Sequence, residues 1–190
     1  MSDRLLVAPD GSRIADAPTP RFLLPGSFNP LHDGHRGMFE AATRRLGPGG
    51  AFELSVTNAE KPPLGDDEIE RRAAAFAGYQ PLWLTRAPTF VEKARLFPGA
   101  VFVVGADTAA RIVQPRFYDD SAERMWLALE EIRSAGCRFL VAGRVDGGRF
   151  IDRDALGLRE EVTDLFEAIE EAEFRADVSS TMLRSSSRSA

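Results

Sequence analysis

Val101-Phe-Val-Val-Gly105 is apolar at every position up to its glycine. β-branched and aromatic residues favour an extended strand, and a strand with no polar face has to be covered on both sides. Other short runs repeat the theme: Arg21–Pro25 ending at Gly26, Ala51–Thr57 alternating in period two, Leu82–Thr85, and Cys137–Ala142. Helical patterns lie between them. Met38, Ala41, Ala42 and Leu46 recur at helical spacing, with Asp33 as a candidate cap and Gly47-Pro-Gly-Gly50 as the stop. Residues 66–78 and 90–96 also read as helices, as do residues 119–135, where Ala122, Met125, Trp126, Leu129 and Ile132 share one face. The pattern predicts a further helix over 156–171 with an acidic outer face, then a brief last strand opening at Phe174. Asp146-Gly-Gly marks the tight turn of a small hairpin, and residues 1–20 read as an added hairpin or a loose arm. Strands alternating with helices at this spacing imply an α/β fold: a parallel sheet with helices on both faces.

The chain has 190 residues, enough for one domain with a full hydrophobic core. Its 44% hydrophobic and 28% charged composition is that of an ordinary soluble globular protein. A formal net charge of −5 argues against nucleic-acid binding through a basic surface, but not against a small anion held by local groups. The lone Cys137 has no partner for an internal disulfide and reads as a small buried residue heading a strand. No apolar stretch reaches membrane-spanning length and Met1-Ser-Asp-Arg opens no signal peptide, so a cytoplasmic protein with no membrane partner is expected.

Gly26-Ser-Phe-Asn-Pro-Leu-His-Asp-Gly-His35 falls where the first core strand hands over to a helix. Such a junction offers free backbone N–H groups and the positive end of a helix dipole, which suits phosphate. Gly26 and Gly34 let the backbone approach a ligand closely. His32 and His35, the chain's two histidines, are three apart around the helix start and can face one anion. Structural histidines or a zinc pair are the other readings, but no third ligand lies nearby for zinc. Near the C-terminus, Val178-Ser-Ser-Thr-Met-Leu-Arg184 sets three hydroxyls ahead of a permanently charged guanidinium. By itself that run reads as a solvated tail. In an open parallel sheet ligands bind beyond the strands' carboxyl ends, and Gly26, Gly105 and Thr85 all fall at such ends.

The first loop closely resembles the GxFxPxHxGH signature of the HIGH-type nucleotidylyltransferase superfamily, and Val178–Arg184 resembles its second signature, ISSTxxR. Val104-Gly105-Ala106-Asp107 is similar to the Gly-x-Asp element of the nicotinamide and nicotinate mononucleotide adenylyltransferases. The resemblance spans about residues 21–184, leaving 1–20 as an N-terminal arm or hairpin and 185–190 as a flexible tail. It implies a Rossmann-like doubly wound parallel sheet in three α/β/α layers, and transfer of a nucleotidyl group from a nucleoside triphosphate with release of pyrophosphate. It further implies that His32, His35 and Arg184 are catalytic, with Ser27 and Phe28 offering backbone donors beside Gly26, Asn29 and Gly34. Ser179, Ser180 and Thr181, with Arg184, would hold the β- and γ-phosphates. Gly105 and Asp107 would lie near the nucleoside, though Asp107 reads equally as a helix N-cap. Mg²⁺ would arrive on the triphosphate, held by phosphate oxygens and water.

The Ser27-Phe-Asn-Pro30 form, with Asn58 and Lys61 after the second core strand, resembles the pyridine mononucleotide branch. That branch implies ATP and NMN or NaMN as substrates, and a place in NAD biosynthesis. Asn58 and Lys61 would hold the acceptor, and Trp83 would stack on its ring or else belong to the core. Pantetheine-phosphate adenylyltransferase, a cytidylyltransferase, a nucleotide-hydrolysing enzyme and a non-catalytic nucleotide-binding module are the other readings. A homo-oligomer stays open.

Overall fold

In the computed structural model, residues 3–57, 62–146 and 149–174 are described. The chain runs β1 (Arg4–Val7), β2 (Arg13–Ile14), β3 (Phe22–Pro25), α1 (Asp33–Leu46), β4 (Gly50–Ser55), α2 (Asp66–Ala73), β5 (Leu82–Thr85) and α3 (Phe90–Leu96). It continues with β6 (Val101–Gly105), α4 (Ala106–Ile112), α5 (Ala122–Ser134), β7 (Arg138–Ala142), the hairpin β8 (Arg144–Asp146) and β9 (Arg149–Ile151), and β10 (Phe166–Ile169). One eight-stranded sheet has the order β10-β7-β6-β3-β4-β5-β1-β2. Every pairing from β10 to β5 is parallel, while β1 joins β5 and β2 joins β1 antiparallel. Residues 4–14 are therefore an added hairpin that extends the sheet edge.

Alternation along each strand feeds two cores. Leu23, Ala51, Trp83, Phe102, Val104, Phe139 and Val141 face α3, α4 and α5. Their strand neighbours Phe22, Leu24, Phe52, Leu54, Leu82, Leu84, Val101, Val103 and Leu140 face α1 and α2. This is the three-layer Rossmann-like α/β fold, and β6 is apolar throughout because it lies between both layers. Burying each such Val, Leu or Phe contributes about 1.5–3 kcal/mol. Cys137 is buried at the head of β7, and burial pushes its thiol pKa up.

Three expectations are corrected. No α-helix fills 156–171: short 3₁₀ turns at Asp154–Leu156 and Glu160–Leu165 lead into strand β10. Val162, Leu165, Phe166 and Ile169 mimic helical spacing, but pairing with the open edge of β7 and the Phe139–Phe166 ring stack at 4.9 Å win. Phe174 itself is not in a strand, and residues 175–176 of the expected strand lie outside the described residues; its ring lies over Gly37 of α1, where a Cβ would meet it at 2.7 Å. Asp33 is the first residue of α1, and His32 holds the N-cap position.

Strand order reverses at β3, since β4 and β5 follow on one side while β6, β7 and β10 follow on the other. The carboxyl ends of β3 and β6, closing at Gly26 and Gly105, flank that reversal.

Candidate active site

The residues after β3 fold into a tight loop tied to β4 and α2. Gly26 donates its N–H to the Glu53 carbonyl at 3.0 Å, locking the loop to β4. Arg72 donates Nη1–H to the Ser27 carbonyl at 2.8 Å, and Arg71 donates Nη2–H to Asn29 Oδ1 at 2.9 Å. Both guanidiniums also bind Glu68, whose carboxyl they hold down to about 2, Arg71 contributing most. With the Ser27 carbonyl and Asn29 Oδ1 occupied, the loop leaves the N–H groups of Ser27 and Phe28 without an acceptor among the described residues.

Phe28 takes φ 45°, a left-handed conformation costly for an aromatic residue. Packing holds it there. Its ring is buried and meets Phe52, Phe76 and His35 edge-on at 5.1–5.4 Å. Gly26 is required beneath it, since a Cβ there would lie 2.6 Å from Phe28 Cε1. The Asn29–Pro30 peptide that follows is cis.

His32 and His35 then stack with ring centroids 3.8 Å apart. The His32 backbone N–H donates to His35 Nδ1 at 3.3 Å, so the neutral His35 ring carries its proton on Nε2. Burial, and secondarily the neighbouring His32, push the His35 pKa down to about 4. His32 is lowered too, by burial, against an opposing pull from Asp33. At neutral pH the pair is uncharged, poised to donate hydrogen bonds and to gain charge if an anion arrives. Gly34 sits in the first turn of α1 between them.

On the other side of the reversal, Gly105 is the N-cap of α4 and nothing lies within 4 Å of a Cβ placed on it. The fold alone does not demand glycine there. Asp107 lies in the first turn and caps nothing; it pairs with Arg144 of β8 at 3.1 Å through both carboxylate oxygens.

Of the two readings of Trp83, the structure gives the core. It is 1% exposed, against Phe97 at 5.1 Å with the Arg4 guanidinium over its ring, and cannot stack on a ligand. Position 83 alternates towards α3, so the indole is core. Ser179, Ser180, Thr181, Arg184, Asn58 and Lys61 lie outside the described residues. Phe174, the last described residue before that motif, packs its ring on Gly37 of α1.

A cleft of about 370 Å³ opens beside the loop, over the carboxyl ends of β3, β4 and β5. Ser27, Asn29, Glu53, Thr57, Arg72 and Lys93 are among its lining. A larger hollow of about 480 Å³ lies by Arg21, Pro98 and Arg138, around the opposite strand ends, and carries none of the motif residues. Three cleft residues were not legible as site residues: Arg72, and the buried ion pair of Glu53 with Lys93 at 2.8 Å. Among the described residues, no group of three or more His, Cys, Asp or Glu side chains is placed to hold a metal ion. No helix among them is long and apolar enough to cross a membrane.

A parallel sheet that reverses its order beside a glycine–histidine loop, with Gly26, Ser27 and Asn29 of that loop lining a cleft, defines a Rossmann-like α/β protein suited to an anionic ligand. The sequence model of the cytidylyltransferase-like family matches residues 23–186, and the chain belongs to that family. Membership supports a nucleotidyltransferase acting with a nucleoside triphosphate. No curated protein matches the chain at a significant level.

Proposed function

We propose that the protein moves AMP from ATP to the phosphate of a pyridine mononucleotide, NMN or NaMN, and releases pyrophosphate. The observation carrying this reading is the Gly26–His35 loop: Arg71 and Arg72 hold Asn29 Oδ1 and the Ser27 carbonyl, and the N–H groups of Ser27 and Phe28 and the neutral His35 are left for phosphate. An acceptor phosphate oxygen is already anionic and needs no strong base. It attacks the α-phosphorus in line, the α–β bridging P–O bond breaks, and its electrons leave with pyrophosphate.

Catalysis is then positioning and charge stabilisation. In this reading His32 and His35 contact the triphosphate, with His35 nearest the α-phosphate, and Ser27 and Phe28 give backbone donors. Ser179, Ser180, Thr181 and Arg184 hold the β- and γ-phosphates, while Gly105 and Asp107 flank the nucleoside. Asn58 and Lys61 hold the acceptor. Mg²⁺ enters on the triphosphate and offsets its charge.

The test is pyrophosphate release with Mg²⁺, ATP or CTP, and a panel of phosphomonoesters. Release with ATP and a pyridine mononucleotide is expected. Release without any acceptor indicates hydrolysis, and release with CTP or another acceptor replaces the substrates named here. His35→Ala should lower turnover by about 10²–10³, the effect of losing one preorganised donor; wild-type turnover in that folded variant removes His35 from the mechanism.

A further inference from the structure

The Ser27–Phe28 peptide sits in an orientation that its own backbone does not favour. Phe28 has φ 45°, in the left-handed region that aromatic residues avoid. Turning that one peptide plane over, with both Cα atoms left in place, would carry φ of Phe28 to roughly −135°, inside the ordinary β region. Packing among Phe52, Phe76 and His35 fixes the Phe28 ring, but the plane of the peptide ahead of it needs a hold of its own.

Arg72 supplies that hold. It is buried on α2 and donates Nη1–H to the Ser27 carbonyl at 2.8 Å. Its Nε and Nη2 meet Glu68 Oε1, one turn back, at 2.7 and 2.6 Å. Glu68 also takes the Arg71 guanidinium, which reaches on to Asn29 Oδ1 at 2.9 Å. A guanidinium is a rigid planar fork, so its grip on Glu68 fixes the direction of the Nη1–H; an ammonium has no such fork. In a trans peptide the C=O and the next N–H point opposite ways. Holding the Ser27 oxygen toward Arg72 therefore turns the Phe28 N–H away from it. A turned-over peptide would set that N–H against the Arg72 Nη1–H, donor against donor, and would offer an oxygen in its place.

We propose that Arg72 is a positioning residue: gripped by Glu68, it holds the Ser27–Phe28 peptide with its carbonyl withdrawn and its N–H free for a phosphate oxygen. In the nucleotidyl-transfer reading above, on which this rests, that N–H meets the triphosphate. The role is separate from the charge that Arg72 brings to the cleft it lines. Charge and positioning make opposite predictions at Glu68. Neutralising that carboxylate raises the positive potential beside the cleft, which by attraction alone tightens an anion. Loss of its grip on Arg72 frees the peptide to turn over, and weakens the anion.

Ser27-Phe28 is the one Ser-Phe pair in the sequence, so ¹³C′-serine with ¹⁵N-phenylalanine gives a single doubly labelled peptide. Its amide and carbonyl shifts are followed in the full chain on titration with inorganic tripolyphosphate. In the wild type the Phe28 amide proton should move downfield as the anion binds. Glu68→Gln and Arg72→Lys, each confirmed folded by urea unfolding, should move the Ser27 carbonyl upfield before any anion is added. Both should weaken tripolyphosphate about threefold or more and raise KM for ATP by a similar factor, and Arg72→Met should weaken it about tenfold or more. Equal or tighter binding by Glu68→Gln, wild-type binding by Arg72→Lys, or a Phe28 amide that tripolyphosphate leaves unmoved overturns the positioning role. Failure of the transfer reading shows separately: no pyrophosphate release with any acceptor, while the labelled peptide responds as stated, removes that reading and leaves Arg72 as the residue that sets an anion-binding loop.

Discussion

The two histidines make one prediction unusually clean. Folding buries His35 between the Phe28 ring edge at 5.1 Å and the stacked His32 ring at 3.8 Å. Its Nδ1 is used as an acceptor, and protonation would turn that nitrogen into a donor and break the bond to the His32 N–H. Its pKa accordingly falls from an ordinary 6.5 to about 4. Between these values the unfolded chain binds a proton that the folded chain does not, so stability rises with pH across this window. The contribution is full above about 6.5 and is lost as pH falls toward 4. At 1.36 kcal/mol per tenfold, the gap bounds the loss at ~3 kcal/mol, and partial exposure of the ring reduces it to ~2 kcal/mol. His32 shifts the same way and adds to it.

The assay has two arms. With only two histidines in the chain, the imidazole Cε1–H region of a ¹H–¹³C spectrum holds two resonances. One should titrate near 4 in the folded protein and the other below its ordinary value. Urea unfolding at pH 7.5 and pH 5 then compares the wild type with His35→Gln, since carboxylates paired in the fold cancel between the two. The wild type should lose ~1–2 kcal/mol more than the variant across that interval. Two resonances titrating at 6.5, or equal losses in both proteins, refute burial as the cause. Adding inorganic tripolyphosphate should move the His35 titration upward, because an anion favours imidazolium.

Glycine substitutions separate fold from site. Gly26→Ala drives a Cβ to 2.6 Å from the buried Phe28 ring, and should cost ~1–3 kcal/mol in urea unfolding while raising the His35 pKa as the ring is displaced. Gly105→Ala meets nothing within 4 Å and has φ −73°, so stability should hold or rise by ~0.4–1 kcal/mol while nucleotide affinity falls. Unchanged affinity would show that no ligand approaches position 105. Phe174→Ala removes the ring lying over Gly37, five residues ahead of the second motif. It should cost ~1–2 kcal/mol and raise KM for ATP severalfold, with the histidine titration unchanged; an unaltered KM separates Phe174 from the delivery of residues 179–184.

The layered sheet was legible because β6 is apolar on both faces, and the loop because glycine, histidine and a helix start coincide at a strand end. The last strand was not. Val162, Leu165, Phe166 and Ile169 fit helical periodicity as well as β10 fits an edge, and only the open hydrogen-bonding edge of β7 decides between them. Trp83 was ambiguous for a related reason: a strand end is both where ligands bind and where core begins, and the side on which position 83 falls is set by register with Leu6 and Glu53.

Glu53 is the most instructive case. In Ala51-Phe-Glu-Leu-Ser55 the period-two pattern suggests a polar face, which in a half-exposed sheet would mean water. The neighbouring strands exclude that, because β6 and β7 need cover on the very face to which position 53 turns. A glutamate in that register must therefore be buried, and a buried carboxylate needs a cation from the covering layer. α3 supplies one candidate ahead of its solvent side, Lys93, set by the Thr89 cap. The ion pair thus follows from the two-sided sheet before any distance is measured. Removing Lys93 alone leaves Glu53 uncompensated and should cost ~3–5 kcal/mol, whereas an exposed pair such as Arg124–Asp119 should cost less than ~1 kcal/mol.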